Sequence, residues 1–352
     1  MPPLVSIIIL NYNGEAYLEN CLASVLKNEY PNFEVILVDN ASTDRSLKDA
    51  QETFGDDPHL KIVQNTKNLG FSGGNNVGYR HSSGEYVVFL NNDTVVEPDW
   101  LASLVDALQG DPSIGIAQSK IINMDNDVIQ NAGWLFSNYL VRKHPVGEKK
   151  HRKTEFASPY EVSVASGASM IARRTLIDQV GLFDPHVPFF YDDTLLSFKT
   201  WLANKRVVAV ENSCIRHILG ATNVWTTEAV TYNLFKAKTC LIFDVYRRLD
   251  DLAKAALVNF AYTLNDSLFT LRKQNLPVIF GTFHGLTWGL RNLRYLWQNR
   301  LAHWSRTKVT PDELKQRFVR VTLPVPLYLL PSKLSNDYFA FEVGKYENTI
   351  KR

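Results

Sequence analysis

Cysteine is scarce in this sequence, and the few residues present form no recognisable pattern. The 352-residue chain has three, Cys21, Cys214 and Cys240, with no CxxC pair. An odd number at such distances predicts neither a disulfide framework nor a structural zinc site. We therefore expect a reducing compartment, with the cytosol as the default.

Long hydrophobic runs are also missing. The first ten residues, MPPLVSIIIL, lack the basic segment and the small-residue cleavage site of a secretory signal, and their apolar run is short enough to be a strand. The longest later run, Leu276 to Leu290, contains His284 and is shorter than the ~20 residues that span a bilayer. The sequence thus predicts neither export nor a transmembrane helix.

Charge of the two signs is unevenly distributed, although the formal net charge is only +2. Residues 231–352 hold 19 Lys and Arg against 9 Asp and Glu, a charge of +10, which leaves −8 for residues 1–230. An anionic membrane surface attracts a basic amphipathic region that contains tryptophan, whereas an acidic region can hold a cation. The basic residues are scattered among apolar ones, which argues against nucleic acid as a partner.

Apolar runs alternate with segments of helical periodicity in the first part of the chain, which is typical of βαβ units. We predict strands at 4–10, 33–39, 60–64 and 86–90, and helices at 17–26, 44–53, 74–80 and 98–109. This alternation favours an α/β fold built on a doubly wound, mostly parallel sheet.

The rest of the chain follows different patterns. Residues 118–160 are polar and irregular and are expected to form an insertion or flap. From about residue 226, long amphipathic helices replace the alternation, with one further candidate strand at 319–325. We therefore predict one domain at 1–225 and a helical region at 226–352.

Polar clusters follow four of the predicted strands: NYNG at 11–14, DNASTD at 39–44, NTKNLGFSGGNN at 65–76 and NND at 91–93. In doubly wound sheets, ligands bind beyond the carboxyl ends of the strands, so these clusters are expected to share one edge. Asp93 is a candidate ligand for a hard divalent cation such as Mg²⁺ or Mn²⁺. The alternative for this cluster is a turn with ordinary cap chemistry.

The segment NLGFSGGNNVGY, residues 68–79, contains four glycines. A loop of this composition lets the backbone approach a ligand closely and offers NH groups to a diphosphate or a sugar. It is neither a Walker loop nor a GxGxxG fingerprint, so the usual nucleotide motifs do not explain it. A flexible surface loop is the alternative.

Six motifs in order resemble family 2 glycosyltransferases, in particular the rhamnosyltransferase-like branch that builds surface polysaccharides. They are VSIIILNYNG, VDNASTD, NLGFSGGNNVGY, FLNNDTVVEPDWL, SGASMIARR and GLFDPHVPFFYDD. The resemblance covers about residues 4–225 and implies a GT-A fold, with a nucleotide-sugar half at about 1–117 and an acceptor half at 118–225. The later helices look like the membrane-associated tails of that branch.

For the sugar donor, the resemblance implies that Asp39 reads the base and that Asn11 and Asn13 line the same pocket. Asp93 matches the last residue of the DxD motif, which binds the metal, whereas Asn91 departs from its first aspartate. His217 matches the histidine of an HxxGxS/T stretch that approaches the metal or the leaving diphosphate. The remaining expected donor-binding residues are Asn68, Gly70, Gly74, Asn76 and Asn92.

For the acceptor, Asp193 matches the base that removes a proton from the attacking hydroxyl, and Asp192 precedes it. The alternative is that this pair only caps the following helix. Gly167 lies in SGASMIARR, which is expected either to floor the acceptor site or to pack against the sheet. Two positions depart from the family pattern, with Leu195 in place of an aspartate and Lys199 in place of an arginine.

The resemblance therefore implies an inverting, metal-assisted enzyme that moves a sugar from a nucleotide diphosphate to a glycan or lipid-linked acceptor. We expect it at the cytoplasmic face of the membrane, held there by its basic helices, and leave oligomerisation open. Two alternatives remain at this point. One is another sugar-nucleotide enzyme, such as a pyrophosphorylase or dehydrogenase, and the other is an inactive relative that acts as a scaffold.

Overall fold

A central mixed sheet organises the protein in this computed structural model. The described residues are 1–141, 143–187, 190–218, 226–272, 275–305, 307, 309–324 and 332–351. Within them, ten strands form the sheet, whose main path runs in the order β10-β12-β6-β11-β4-β1-β2-β3. A second sheet has the order β13-β8-β9.

The first half of the sheet is parallel and matches the predicted alternation. β1 pairs with β2 and β4, and β2 pairs with β3, all in parallel register. These strands are continuous apolar runs because helices cover both faces of the sheet. The elements are β1 (Val5–Asn11), α1 (Leu18–Leu26), β2 (Phe33–Asp39), α2 (Ser46–Phe54), β3 (Leu60–Gln64), α3 (Gly70–Arg80), β4 (Tyr86–Asn91), β5 (Thr94–Val96) and α4 (Trp100–Gly110).

The second half corrects the expectation that residues 118–160 are irregular. Residues 118–123 belong to a long buried strand, β6, at the centre of the sheet. β6 pairs in parallel with β12, and β11 lies antiparallel between β6 and β4. The elements are β6 (Ile114–Asn123), β7 (Ile129–Asn131), β8 (Trp134–Ser137), β9 (Lys143–Pro145), β10 (Tyr160–Glu161), β11 (Ser169–Arg173), α5 (Arg174–Val180), α6 (Asp192–Leu202) and β12 (Arg206–His217).

The glycine-rich segment is a helix from Gly70 onward and not the expected loop. A Cβ on Gly74 would overlap a Leu10 methyl, and one on Gly78 would overlap Ile8. Both glycines therefore let α3 lie close against β1, which compensates for their poor helix propensity. The structure places Gly74 in helix–sheet packing, and its expected donor contact stays a prediction.

Helices dominate the C-terminal part, as predicted. They are α7 (Thr227–Val245), α8 (Leu249–Arg272), α9 (Leu276–Arg291), α10 (Leu293–Ser305), α11 (Pro311–Phe318) and α12 (Ser332–Ile350), with β13 (Val319–Val321) between the last two. β13 confirms part of the candidate strand at 319–325, whose last residue lies outside the described ranges, as does the proposed boundary near residue 225.

These helices pack onto the sheet and share its apolar core. Leu241 of α7 and Phe318 of α11 belong to the same buried cluster as Phe89 and Trp201. Three glycines of α9 face α7, so that a Cβ on Gly285 would overlap Phe235. In the part of the chain that the structure describes, no helix combines the length and the hydropathy needed to cross a bilayer.

Candidate active site

The carboxyl ends of β1 and β2 carry a buried hydrogen-bonded cluster. Nδ2 of Asn11 donates to Oδ1 of Asp39 at 3.1 Å and to the hydroxyl of Ser46 at 2.8 Å. Asn92, beyond β4, donates to Oδ1 of Asn11 at 2.8 Å. Parallel register brings Asn11 and Asp39 level, which is why residues 28 apart in sequence meet here.

Asp39 is completely enclosed, with an exposed fraction of 0%. Its second carboxylate oxygen accepts from the backbone NH of Ser42 at 3.1 Å. The carboxylate thus orders the loop that follows β2, and direct contact with a nucleotide base would require that loop to move. This contact stays a prediction.

Asn13 is half-buried in the turn after β1 and faces the loop after β2. Its Oδ1 accepts from the backbone NH of Thr43 at 2.8 Å, and its φ of 51° is in the left-handed region that asparagine tolerates. The sequence reasoning overlooked Gly14, where a Cβ would overlap the amides of Asn11 and Asn92. Gly14 is therefore required for the two amides to meet.

Asn40 joins the end of β2 to the segment before α3 and was also overlooked. Its Nδ2 donates to Oδ1 of Asn68 at 2.8 Å, and its Oδ1 accepts from the NH of Leu69 at 3.0 Å. Asn68 in turn accepts from the NH of Gly70 at 2.8 Å. These bonds fix the start of α3 beside the expected nucleotide pocket.

Two α3 side chains hold the segment that leads to the carboxylate pair. The Ser72 hydroxyl donates to the carbonyl of Val187 at 2.6 Å, and Asn76 donates to that of Phe183 at 2.9 Å. Asn76, expected to bind the donor, is therefore a bridge between the two halves of the domain.

Asp93 and His217 lie side by side, as the sequence predicted for two ligands of one metal. Oδ1 of Asp93 is 3.2 Å from Nε2 of His217, and only 3% of Asp93 is exposed. The antiparallel pairing of β12 with β5 places them together, since His217 is opposite Thr94. The rest of the HILGAT motif, from residue 219, lies outside the described residues.

Gln130, which no sequence motif indicated, fixes the tautomer of His217. Its Nε2 donates to the carbonyl of His217 at 2.8 Å, so its Oε1, 3.0 Å from Nδ1, accepts the ring proton there. The lone pair of a neutral imidazole is then on Nε2, facing Asp93.

With the ring neutral, the Nε2 lone pair faces Oδ1 of Asp93 across 3.2 Å, whereas a protonated ring would form an ion pair with the same oxygen. Among the described residues, Oδ1 of Asp93 has no hydrogen-bond donor although it is buried. Buried polar atoms are rarely left unpaired, and a divalent cation can bind carboxylate oxygen and imidazole nitrogen together. The described side chains contain no cluster of three groups that could hold a metal ion.

Asp193, the expected base, is at the start of α6 and close to the Asp93 edge. Its Oδ2 accepts from the NH of Gly167 at 3.2 Å. The next residue, Ala168, accepts from the NH of Asn91 at 3.1 Å, two residues before Asp93. The SGAS segment therefore links the two aspartates through these backbone hydrogen bonds, and the role of Gly167 as a floor of the acceptor site stays a prediction.

Asp192 is buried beside Asp193, in a different environment. Burial raises the pKa of its carboxyl to about 8, and the neighbouring charge of Asp193 adds to this increase. Asp192 is thus largely neutral at pH 7 and able to donate a hydrogen bond. The preceding residues, Phe190 and Tyr191, have φ values of 61° and 58°. Such conformations in bulky residues store strain and are concentrated at functional sites.

The two departures from the family pattern are part of the apolar core or its border. Leu195 is 5% exposed and packs in the main core cluster. Lys199 donates to the carbonyls of Gly181 and Leu182 at 3.0 and 2.6 Å, and burial lowers its pKa to about 8. Neither side chain contacts the carboxylate pair, and Lys199 anchors the segment that precedes it.

The comparisons with known proteins agree with this geometry. The family model for glycosyl transferase family 2 matches residues 6–181, half of the chain. The chain is a family 2 glycosyltransferase. The rhamnosyltransferase-like branch remains a prediction.

Curated relatives of this glycosyltransferase match over parts of their length. GlyA from Streptococcus pneumoniae is 24% identical over 235 residues, covering 63% of this chain and 32% of that protein. Chondroitin synthase from Escherichia coli is 31% identical over 125 residues, covering 36% and 18%. The chain thus spans about a third or less of these proteins.

Solved structures share the GT-A-like α/β fold of this glycosyltransferase. Residues 1–349 of TarS from S. aureus, in complex with UDP-GlcNAc, have a TM-score of 0.53 at 18% identity, covering 98% of this chain and 92% of that one. The mannosyltransferase PcManGT from Pyrobaculum calidifontis, with GDP-Man and Mn²⁺, also scores 0.53, at 19% identity, covering 87% and 86%. At these identities the likeness establishes the fold.

Proposed function

We propose that this glycosyltransferase transfers a sugar, with inversion, from a nucleotide diphosphate to a hydroxyl of a glycan or lipid-linked acceptor in cell-surface glycoconjugate synthesis. One observation carries the proposal: Asp93 with His217, and Asp193, share one edge of the sheet and are joined through Gly167 and Ala168. Residues 1–117 would bind the donor and residues 118–225 the acceptor.

Oδ1 of Asp93 and Nε2 of His217 are the atoms that would hold a divalent cation. Bound Mg²⁺ or Mn²⁺ would neutralise the two phosphates of the donor and stabilise the leaving nucleoside diphosphate. The donor phosphates supply the ligands that the protein lacks here, which is how such ions usually bind. Gln130 holds His217 in the tautomer that this role requires.

Asp193 is the proposed base. Its carboxylate accepts the proton of the acceptor hydroxyl while that oxygen forms its bond to the anomeric carbon and the carbon–phosphate oxygen bond breaks. Attack from the face opposite the leaving group inverts the anomeric centre. The neutral carboxyl of Asp192 can donate a hydrogen bond to the acceptor, so the pair combines one base and one donor.

The donor pocket is proposed at the ends of β1 and β2, lined by Asn11, Asn13 and the loop after Asp39, with Asn68 and Gly70 at its far side. UDP-GlcNAc and GDP-Man are the nucleotide sugars in the complexes of TarS and PcManGT. We infer a nucleotide diphosphate sugar for this chain and leave its base and hexose open; rhamnose rests on resemblance alone.

An exposed apolar surface on α8, α9 and α10 supports docking at a membrane. We call it the apolar face; its residues are Leu257, Phe260, Leu264, Leu276, Phe280, Phe283, Leu290, Leu293, Trp297 and Leu301. Four of them also line a cavity of about 630 Å³ between α7, α8 and α9. Exposed Arg291 and Arg294 flank this face and suit anionic headgroups. A lipid-linked acceptor at the cytoplasmic membrane would be reached from here.

The test is a panel of nucleotide sugars assayed for release of the nucleoside diphosphate, with and without Mn²⁺, using the full chain and Asp93→Asn. We expect one donor to be turned over in a metal-dependent way and the variant to lose most of that turnover. Release of pyrophosphate or reduction of a nicotinamide would favour another sugar-nucleotide enzyme. No turnover of any donor, despite donor binding, would favour the scaffold.

A further inference from the structure

Lys143 of β9 has an unusual environment next to the carboxylate pair. Its Nζ lies 4.6 Å from the ring centroid of Trp134 and 4.9 Å from that of Tyr191. The side chain is half-buried, and among the described residues no oxygen accepts a hydrogen bond from its ammonium group. An ammonium group has three donors, and cation–π contacts use none of them, so all three remain available to solvent or to a ligand.

Other half-buried or buried lysines of this domain meet oxygen. Lys120 contacts Glu211, Lys150 contacts Glu347, and Lys199 bonds two carbonyls. Lys143 is only half-buried, so its ammonium group can be reached from solvent while the two rings hold it in place. The two rings therefore hold the ammonium group of Lys143 in a position from which it can donate hydrogen bonds to a bound ligand.

The three side chains border the proposed acceptor position. Tyr191 directly precedes Asp192, and the charge of Lys143 acts on that carboxyl. The backbone NH of Trp134 donates to the carbonyl of Val164 at 3.0 Å, three residues before Gly167. Phe136 packs beside Tyr191, with ring centroids 6.3 Å apart, and steadies its ring. The cluster is thus adjacent to the pair formed by Asp192 and Asp193.

We propose that Lys143, with Trp134 and Tyr191, forms an acceptor subsite that binds an oxyanion, a phosphate or a carboxylate, carried by the acceptor substrate. This inference rests on the proposed function and specifies its acceptor as acidic. A lysine binds such groups as a point charge, and the aromatic rings offer apolar surface to a sugar or to the atoms next to the anion. Because Asp192 is largely neutral, it leaves the charge of Lys143 available to the ligand.

The shared chemistry is the oxyanion, which could come from a lipid-linked phosphate or from an acidic sugar. Calorimetric titrations of the full chain with methyl phosphate, methyl glucuronide and methyl glucoside separate these sources. We expect one of the two anionic probes to bind and the neutral glucoside to bind at least tenfold more weakly. Equal binding of all three probes would overturn the proposal.

Lys143→Met is the decisive variant, with Lys143→Arg as the conservative one and Lys153→Met as the control, since Lys153 is exposed and belongs to the same part of the chain. We expect Lys143→Met to weaken the preferred anion at least tenfold, and the other two variants to bind it within about threefold of the parent. If methyl phosphate binds at the donor site instead, Lys143→Met will not weaken it, so the variant distinguishes the two sites.

If Lys143 affects only the protonation of the carboxylate pair, a different result is expected. In that case Lys143→Met would leave anion binding unchanged and shift the acid limb of the pH profile of donor turnover, and the proposal would be wrong. In the transfer reaction we expect a higher KM for the acceptor at a nearly constant kcat. Probe binding is measured without donor, so a chain that turns over no nucleotide sugar would refute the proposed function separately.

Discussion

Polar side chains are buried at the carboxyl edge of the sheet, whereas large apolar side chains are exposed on the C-terminal helices. At the edge, Asn11, Asp39 and Asn92 are buried and bonded to each other. On the helices, large side chains such as Leu257 and Leu290 are 68% and 70% exposed. Each arrangement is costly by itself, since buried polar groups lose water and exposed apolar groups order it.

The difference indicates two kinds of binding. A preorganised polar edge suits a small charged ligand whose geometry must be fixed, because its hydrogen-bonding groups need no rearrangement at the moment of reaction. A broad apolar surface suits an extended partner that buries area without strict geometry. The comparison therefore separates the proposed site of chemistry from the proposed docking surface, and each can be altered alone.

The largest expected effect is at the edge. Asp193→Asn keeps the shape of the side chain and removes the base, so we expect sugar transfer to fall by about 10² to 10⁴. Binding of the donor with Mn²⁺ should remain within about threefold, as measured by calorimetry, because the proposed mechanism assigns Asp193 to the acceptor. Transfer at the parent's rate would show that another group accepts the proton.

The second largest expected effect is on membrane binding, after substitutions in the apolar face. Replacing Leu257, Phe283 and Leu290 with serine removes apolar surface, and each burial is worth about 1.5 kcal/mol or more, so binding to vesicles that contain phosphatidylglycerol should fall at least tenfold. Sedimentation with vesicles measures it. Turnover of the donor in solution should not change.

The matched control for this face is Phe341→Ser on α12. Phe341 is 61% exposed and lies outside the apolar face. We expect its vesicle binding to equal that of the parent. An equal loss in both would mean that exposed apolar area, and not the apolar face, governs the association.

Glycine-to-alanine substitutions should have smaller effects, and these should have opposite signs in the two regions. Gly74→Ala places a methyl against Leu10, so we expect a loss of about 1 to 3 kcal/mol in the free energy of unfolding. Gly344 of α12 has open space around its Cβ position, so Gly344→Ala should stabilise by up to about 1 kcal/mol. Urea denaturation compares them, and a stable Gly74→Ala protein would contradict the tight packing of α3.

The last expected effect is a dependence of stability on pH. The pKa of Asp192 is raised to about 8 in the folded protein, mainly by burial, so the folded state holds a proton that the unfolded state releases near pH 4. This group therefore stabilises less as pH rises from about 4 to 8. We expect Asp192→Asn to gain a few degrees in Tm relative to the parent across that range, and a constant difference above it. A difference that shrinks with pH would reverse the assignment.

The sequence predicted the elements that depend on local pattern. Strands β1 to β4 and helices α1, α2 and α4 are confirmed within two residues, because buried parallel strands are uninterrupted apolar runs and their helices repeat at 3.6 residues. Helix α3 was predicted to begin four residues too late. Its glycines are poor helix formers, and only packing against Leu10 and Ile8 makes them suitable there.

The site was predicted in part. Because Asp39 and Asp93 follow parallel strands, the topology of a doubly wound sheet predicted that they share one edge. The role of Asp193 was inferred from family resemblance and stays a prediction. Asn40, Gln130 and Gly14 were missed because their functions exist only in tertiary contacts. Gln130, for example, meets His217 across 87 residues, a distance that no local spacing encodes.

The central claim is that Asp93 and His217 hold a divalent cation together with a diphosphate, and calorimetry tests it most directly. The full chain is titrated with UDP and with GDP, with and without Mn²⁺, beside Asp93→Asn. We predict that one nucleotide binds at least tenfold more tightly with Mn²⁺ and that Asp93→Asn abolishes this enhancement. Nucleotide binding of equal strength with and without the metal, or an enhancement that survives in Asp93→Asn, would contradict the account.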